Sequence, residues 1–172
     1  MAYKVVQRRD EAETAVGGEF EDHLFVIDES LGYLVNYLGR NFARALAAHL
    51  APHGVSVAQW SVLMFLWAED GLSLSELSQR VAIEDATMVR TIDRMERDGF
   101  LRRMRDRNDR RRVNIFLADR GSALRDTLVP CAIAANEAAT QGLTEAERDQ
   151  TMKLLRRIVT SLIRAQSRPE KD

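Results

Sequence analysis

Between Leu72 and Gly121 the chain sets out two short helical patterns and then a hairpin packed with arginine, an order that few folds accommodate. The first pattern runs from Leu72 to Val81 and opens with Ser73 three residues before Glu76, the spacing of a capping box. A turn of two or three residues follows. Thr87 to Arg97 then carries Met88, Ile92 and Met95 at i, i+4 and i+7, so these three share one helical face. The opposite face presents Ala86, Arg90, Asp93, Arg94 and Arg97, with Thr87 and Thr91 beside them. Asp98-Gly99 ends the helix, glycine being the usual residue just past a helix C-terminus. Phe100–Arg105 and Val113–Leu117 read as the two arms of a hairpin around the loop Asp106–Arg112. Val113, Ile115 and Leu117 alternate inward, the period of a half-buried strand.

From Arg102 to Arg112 seven of eleven residues are arginine, and only Asp106 and Asp109 are acidic. A short cationic loop beside a solvent-facing helix of threonine and arginine is what DNA recognition requires. The helix reaches base edges in the major groove, while arginines meet phosphates or enter the narrow minor groove. The bland alternative is a solvated charged loop on an ordinary hairpin; the order of helix, turn, helix and basic hairpin favours DNA. The formal net charge of −1 does not announce a nucleic-acid partner. Its distribution does, because residues 1 to 31 hold eight acidic and three basic residues whereas 100 to 112 hold seven arginines against two aspartates.

These residues resemble the winged helix-turn-helix of the MarR (multiple antibiotic resistance repressor) family. The likeness lies in Leu74-Ser-Glu-Leu77, in Thr87-Met-Val-Arg90 followed by Asp93-Arg-Met-Glu-Arg-Asp-Gly99, and in Asp106-Arg-Asn-Asp-Arg-Arg111 with Gly121 beyond it. It extends over residues from about 30 to 165. In the wing signature, Asp106, Asp109 and Arg111 fit, and Asn108 stands where the family often has an arginine. That leaves Arg110 and Arg111 as wing-tip candidates, with Asp109 orienting one of them. Ala86 and Val89 occupy recognition-helix positions where Ser or Thr are common. The resemblance implies a mainly α fold with a small β-hairpin wing, a winged helix-turn-helix flanked by N- and C-terminal dimerisation helices. The candidate DNA contacts are Ser73, Ser75, Asp85, Thr87, Arg90, Thr91, Arg94, Arg107, Arg110 and Arg111.

Outside this stretch the chain is helical. Ser30 to Leu50 carries Leu31, Leu34, Leu38, Phe42 and Ala45 on one side, widened by Val35, Leu46 and Leu50 beyond what one contact needs. Pro52-His-Gly54 forces a turn. Val57 to Glu69 follows with Val57, Trp60, Leu63, Met64 and Trp67 at helical spacing; Trp60 and Trp67 read first as core. Ser122 to Thr140 is a helix that Pro130 should bend. Thr144 with Glu147 makes a second capping box, starting a helix through Ala165 with Met152, Leu155, Ile158, Val159, Leu162 and Ile163 apolar. Residues 1–22 read as a flexible arm that could instead cross over a partner, and Gln166 to Asp172 as a frayed tail. The expected division is a winged domain over 55–121 and dimerisation helices over 23–50 and 122–166. The surplus apolar surface of those helices asks for a second copy related by a two-fold axis.

Catalytic constellations are absent from the sequence. His23, His49 and His53 have no cysteine or paired carboxylate at metal-ligand spacing, and Asp22-His23 is more often plain surface than a metal pair. No metal or cofactor is expected. Cys131 is the single cysteine, which excludes an internal disulfide, fits a reducing cytoplasm, and on a mostly apolar helix reads as an inert thiol. No apolar run reaches about 18 residues and the N-terminus lacks a signal-peptide core, so a soluble cytoplasmic protein is expected.

The expectation is a homodimeric, sequence-specific DNA-binding regulator, a repressor released from double-stranded DNA by a small molecule. Tyr37, Arg40, Trp60 and Met64 are the candidate ligand residues, offering aromatic walls, a flexible filler and one cation. By the resemblance, aromatic acids, phenols or acyl thioesters are the ligand classes. The competing account of these four is core packing and a structural ion pair. Two rivals stand beside the whole reading: an architectural DNA binder without effector, and a winged-helix module that binds an acidic protein.

Overall fold

The computed structural model describes residues 5–6, 25–27, 30–106 and 112–166. The remainder of the 1–22 arm, the Asp22-His23 pair, the wing residues Arg107, Asn108, Asp109, Arg110 and Arg111, and the tail 167–172 lie outside the described residues.

Two residues near the N-terminus, β1 (Val5–Val6), pair in parallel with β2 (Phe25–Val26). Helix α1 (Leu31–Leu50) starts where Ser30 Oγ accepts the Tyr33 N–H, and a 3-10 turn over Ala51–His53 closes on Gly54. Helix α2 (Val57–Ala68) begins with a full capping box, because Ser56 Oγ accepts from the Gln59 N–H and Gln59 Oε1 accepts from the Ser56 N–H. Next come β3 (Leu72–Ser73), α3 (Leu74–Val81), α4 (Asp85–Arg97), β4 (Leu101–Arg105) and β5 (Val113–Leu117). The chain ends with α5 (Asp119–Ala123), α6 (Arg125–Thr140) and α7 (Glu145–Gln166).

The sheet has three strands in the order β3-β5-β4, all antiparallel, with Arg103 opposite Ile115 and Leu72 opposite Ile115 on its other side. The sequence points to the β4–β5 hairpin but not to β3, whose two residues are too few to show a period. Ile115, central to the sheet, is fully buried beside Leu63, Leu66, Leu77, Met88, Ile92 and Met95. Burying such side chains is worth about 1.5–3 kcal/mol each, so this core fixes α3 and α4 against the sheet.

Four boundaries depart from the sequence expectation. Helix α4 starts at Asp85, two residues before Thr87, because the Glu84 carbonyl accepts the N–H groups of Thr87 and Met88 (3.0 Å each). Helix α2 ends at Ala68, with Glu69 as its cap. The helix expected from Ser122 starts earlier, at Asp119, and is interrupted at Leu124. There the Leu124 N–H reaches Arg120 O at 3.3 Å while its own carbonyl accepts from Leu128 (2.9 Å), beginning α6. The helix then runs unbroken through Pro130.

Helix α6 packs along α1, with Leu46, Leu50, Leu128 and Ala135 buried. Helix α7 differs from every other long helix, since none of its residues is buried. Among the described residues no helix is long and apolar enough to cross a membrane.

Candidate nucleic-acid interface

Helices α3 and α4 are joined by a tight turn in which Ala82 takes a left-handed conformation (φ 58°). The Ile83 N–H then returns to Ser78 O at 3.1 Å, closing the last turn of α3. Helix α4 closes in the same way through Gly99 (φ 72°), with the Phe100 N–H on Met95 O at 2.9 Å. Met88, Ile92 and Met95 are fully buried beneath α4, so its opposite face is turned outward. Ala86, Thr87, Val89, Arg90, Asp93, Arg94 and Arg97 are exposed on it.

One edge of that face adjoins the start of α2. Thr87, Arg90, Thr91 and Arg94 line a cleft of about 140 Å³ with Ser56, Ala58 and Gln59. Among the described residues neither Arg90 nor Arg94 makes an ion pair, so both guanidinium groups are free for an anion. The Thr91 hydroxyl donates to Thr87 O (3.0 Å) and still has lone pairs to accept with. Gln59 is buried and bridges outward, its amide donating to Asp98 Oδ2 at 3.0 Å, which ties α2 to the end of α4.

The other edge adjoins the wing. Arg103 of β4 spans Asp93 and Glu96 of α4 with one guanidinium, and its backbone N–H donates to Glu96 Oε1 at 3.0 Å. Partial burial disfavours the charged Arg103, but hydrogen bonds to Asp93 and Glu96 outweigh it and hold the group above its ordinary pKa. Arg103 therefore neutralises two carboxylates that would otherwise repel a polyanion.

At the foot of the wing, Arg112 Nη2 donates to Glu76 Oε2 (2.7 Å) and Arg112 Nε to Asn114 Oδ1 (3.2 Å). Asn114 in turn donates to Asp106 Oδ2 at 3.1 Å. Glu76 also caps α3, accepting from the Ser73 hydroxyl and N–H. Those bonds, joined by the one from Arg112, hold its carboxyl down at about 2.

Of the ten candidate DNA residues, Asp85, Thr87, Arg90, Thr91 and Arg94 thus share α4. Ser73 and Ser75 lie at the start of α3, where the Ser73 hydroxyl is engaged in the cap and Ser75 is exposed. Arg107, Arg110 and Arg111 lie outside the described residues. Gln59, Arg103 and Arg112 receive no role from the sequence. The Ser56-x-x-Gln59 spacing is a findable signal for the first, whereas nothing in a run of arginines marks out Arg103 and Arg112 as bound to carboxylates.

The four candidate ligand residues occupy different surroundings. Tyr37 stacks on Tyr33 (centroids 5.9 Å apart) and lines a groove of about 460 Å³ with Leu31, Leu34, Val35, Leu38, Asn41 and, from α7, Leu155. Trp60 is buried with its ring edge-on to Trp67, whose indole N–H donates to Gly121 O at 3.0 Å. Arg40 and Met64 are exposed on α1 and α2.

A helix-turn-helix backed by a three-stranded wing, with free arginines on the outward face of its second helix, defines a winged-helix DNA-binding protein. The MarR family model matches residues 55–113, from just before α2 to the first residue of β5. Among curated relatives, the HTH-type transcriptional regulator TtmR of Methylorubrum extorquens is 38% identical over 58% of this chain, although the match spans only 51% of that protein. The HTH-type transcriptional regulator YkoM of Bacillus subtilis is 30% identical over 61% of this chain and 68% of its own length. Among solved structures, Bordetella bronchiseptica BpsR superposes with a TM-score of 0.72 at 28% identity, covering 77% of this chain and 94% of that one. The chain belongs to the MarR family of transcriptional regulators, which are DNA-binding proteins and not enzymes.

Proposed function

We propose that this protein is a homodimeric, sequence-specific repressor that a small-molecule ligand releases from a pseudo-palindromic operator in the cytoplasm. The outward face of α4 carries this reading: Thr87, Arg90, Thr91 and Arg94 line one cleft, and the two arginines are unpaired among the described residues. Arg90 meets a base edge or adjacent phosphate, Thr87, Thr91 and Asp85 flank it, and Ser73 and Ser75 approach the backbone from the start of α3. Arg107, Arg110 and Arg111 are the wing contacts. Residues 55–121 form the DNA-binding unit, and 23–50 with 122–166 the dimerisation helices. Support for the dimer is the exposure of Leu31, Leu34, Leu38, Val159 and Leu162 together with an α7 that buries nothing in the single chain. A two-fold pair sets two recognition helices about one DNA turn apart.

The ligand acts by fixing a spacing of the two DNA-binding units that no longer matches successive major grooves. A hundredfold loss of operator affinity then needs about 2.7 kcal/mol of differential binding. The solved structure of BpsR concerns regulation of its DNA binding by 6-hydroxynicotinic acid, which supports an aromatic acid as the first class to test here. Tyr37, Arg40, Trp60 and Met64 are the residues proposed to take it, Arg40 pairing with the carboxylate. Selection of bound fragments from the source genome tests the function. Enrichment of one two-fold-symmetric sequence, lost on adding the ligand, is expected; uniform retention of all duplexes would favour an architectural binder and overturn the reading.

A further inference from the structure

We propose that Val89, assisted by Ala86, reads the C5-methyl group of a thymine in each operator half-site. The inference rests on the reading of α4 as the helix that enters the major groove. Met88, Ile92 and Met95 of α4 are fully buried, but Val89 is 39% exposed, the one large hydrophobic residue that this helix turns to solvent. Neither the core nor helix formation accounts for it. It is not part of the buried cluster, and a β-branched residue is a poorer helix former than the Ala, Arg or Glu that suit an exposed position.

Its position gives the use. Val89 is the fifth residue of α4, in the N-terminal half that meets base edges in a helix-turn-helix. Ala86, three residues earlier, is exposed on the same side. Four and seven residues beyond Val89 are Asp93 and Glu96, both held by Arg103 of the wing strand, so Val89 lies on the wing-facing edge of the helix. The far edge is polar, with Thr87, Thr91 and Arg94 beside Ser56. Helix α4 therefore has a hydroxyl- and guanidinium-bearing edge and, at Ala86 and Val89, an apolar patch flanked by Asp93 and Glu96, which Arg103 neutralises, and by the exposed Asp85 one turn before Val89. Of the groups displayed in the major groove, only the thymine methyl is apolar, and it is recognised by apolar contact and not by hydrogen bonding. The Val89 and Ala86 side chains match that group, and they offer no hydrogen bond to any other base-edge feature.

The test uses the full-length protein and its selected operator, with each thymine replaced in turn by uracil, which removes the methyl and leaves the pairing edge intact. Wild-type protein should lose about fourfold in affinity at one thymine per half-site, the worth of one buried methyl, and nothing at the others. Val89→Ala should bind thymine and uracil operators alike at that position; its helix is secure because alanine is the better helix former at an exposed site. Equal binding of every uracil duplex by the wild type, or retained discrimination by Val89→Ala, would overturn the inference while leaving operator recognition intact. Failure to enrich any sequence in the selection would instead overturn the recognition reading, and the inference with it.

Discussion

Arg112, at the foot of the wing, donates to the same carboxylate oxygen of Glu76 that caps helix α3, at 2.7 Å. One oxygen thus caps the start of a helix and anchors the wing to it. The pair holds the foot of the wing, where β5 begins, against the start of α3.

The Glu76 carboxyl sits at about 2 instead of 4.5, through the Ser73 hydroxyl, the Ser73 N–H and then Arg112. A depressed acid contributes stability that is present in full above its unfolded value, near 4.5, and is lost as pH falls towards 2. The Glu76 side chain is 41% exposed, so solvent screening reduces the contribution to about 1 kcal/mol. Glu76→Gln, which keeps an acceptor for the cap, should cost about 1 kcal/mol in urea unfolding at neutral pH and almost nothing at the acid end. An equal cost at both ends would mean that the charge is not what stabilises the pair.

Two glycine exchanges should act with opposite sign. A Cβ at Gly121 would stand 1.9 Å from the Phe100 carbonyl oxygen, and that oxygen is backbone, so nothing flexible can yield. The same carbonyl accepts the Ala118 N–H at 3.0 Å, which holds it in place. Gly121→Ala should cost about 3 kcal/mol or more, as overpacking against fixed atoms does. Ala82 is the converse, an alanine at φ 58° in the turn between α3 and α4. Ala82→Gly removes a steric cost of about 1–2 kcal/mol and returns part of it as unfolded-chain entropy, for a net gain near 1 kcal/mol. Thermal melts of the two variants read both effects; a stabilising Gly121→Ala would refute the close approach.

Period and capping make the helices legible in the sequence. Ser73 with Glu76 and Thr144 with Glu147 behave as the capping boxes their spacing suggests, and Met88, Ile92 and Met95 are buried as i, i+4, i+7 implies. The features that leave no such trace depend on partners distant in the chain. Leu72 and Ser73 become a strand only because Ile115 and Asn114 lie opposite, more than forty residues on. The break at Leu124 comes three residues after Gly121, which closely approaches Phe100 and accepts from Trp67, contacts that leave no local signal. In the site, the outward arginines of α4 are legible from helical phase. Arg103 and Arg112 are not separable from the other wing arginines, because their carboxylates belong to α4 and α3.

Arg90 is the sharpest single test of readout. Its guanidinium is unpaired among the described residues and lies in the α4 cleft with Thr87 and Thr91. Arg90→Ala should lose about 1–3 kcal/mol of operator affinity and relax preference at one base pair. Replacing Arg110 and Arg111 together should weaken specific and unrelated DNA alike, and flatten the salt dependence by roughly one to two units. Unchanged preference in the first variant would remove Arg90 from the base edges.

Assembly is the last expectation, and α7 gives the reason for it. A helix of 22 residues with no buried side chain gains little from its own chain, whereas most helical stability in proteins comes from packing an apolar face. Yet Leu154, Val159 and Leu162 are exposed on it, and Leu31, Leu34 and Leu38 on α1, around grooves that the two helices share. Covering such a surface with a second copy would bury on the order of 800 Å² per subunit, the size of a stable interface. Truncation after Gly142 should therefore leave a monomer that binds its operator far more weakly than the full chain. Because truncation can disturb α1 as well, Val159→Asp with Leu162→Asp provides the cleaner variant: both positions are more than half exposed in the single chain, so its fold is spared. Sedimentation should show the full chain as a dimer and the double variant as a folded monomer with native circular dichroism. A double variant that still sediments as a tight dimer would place the interface on another surface.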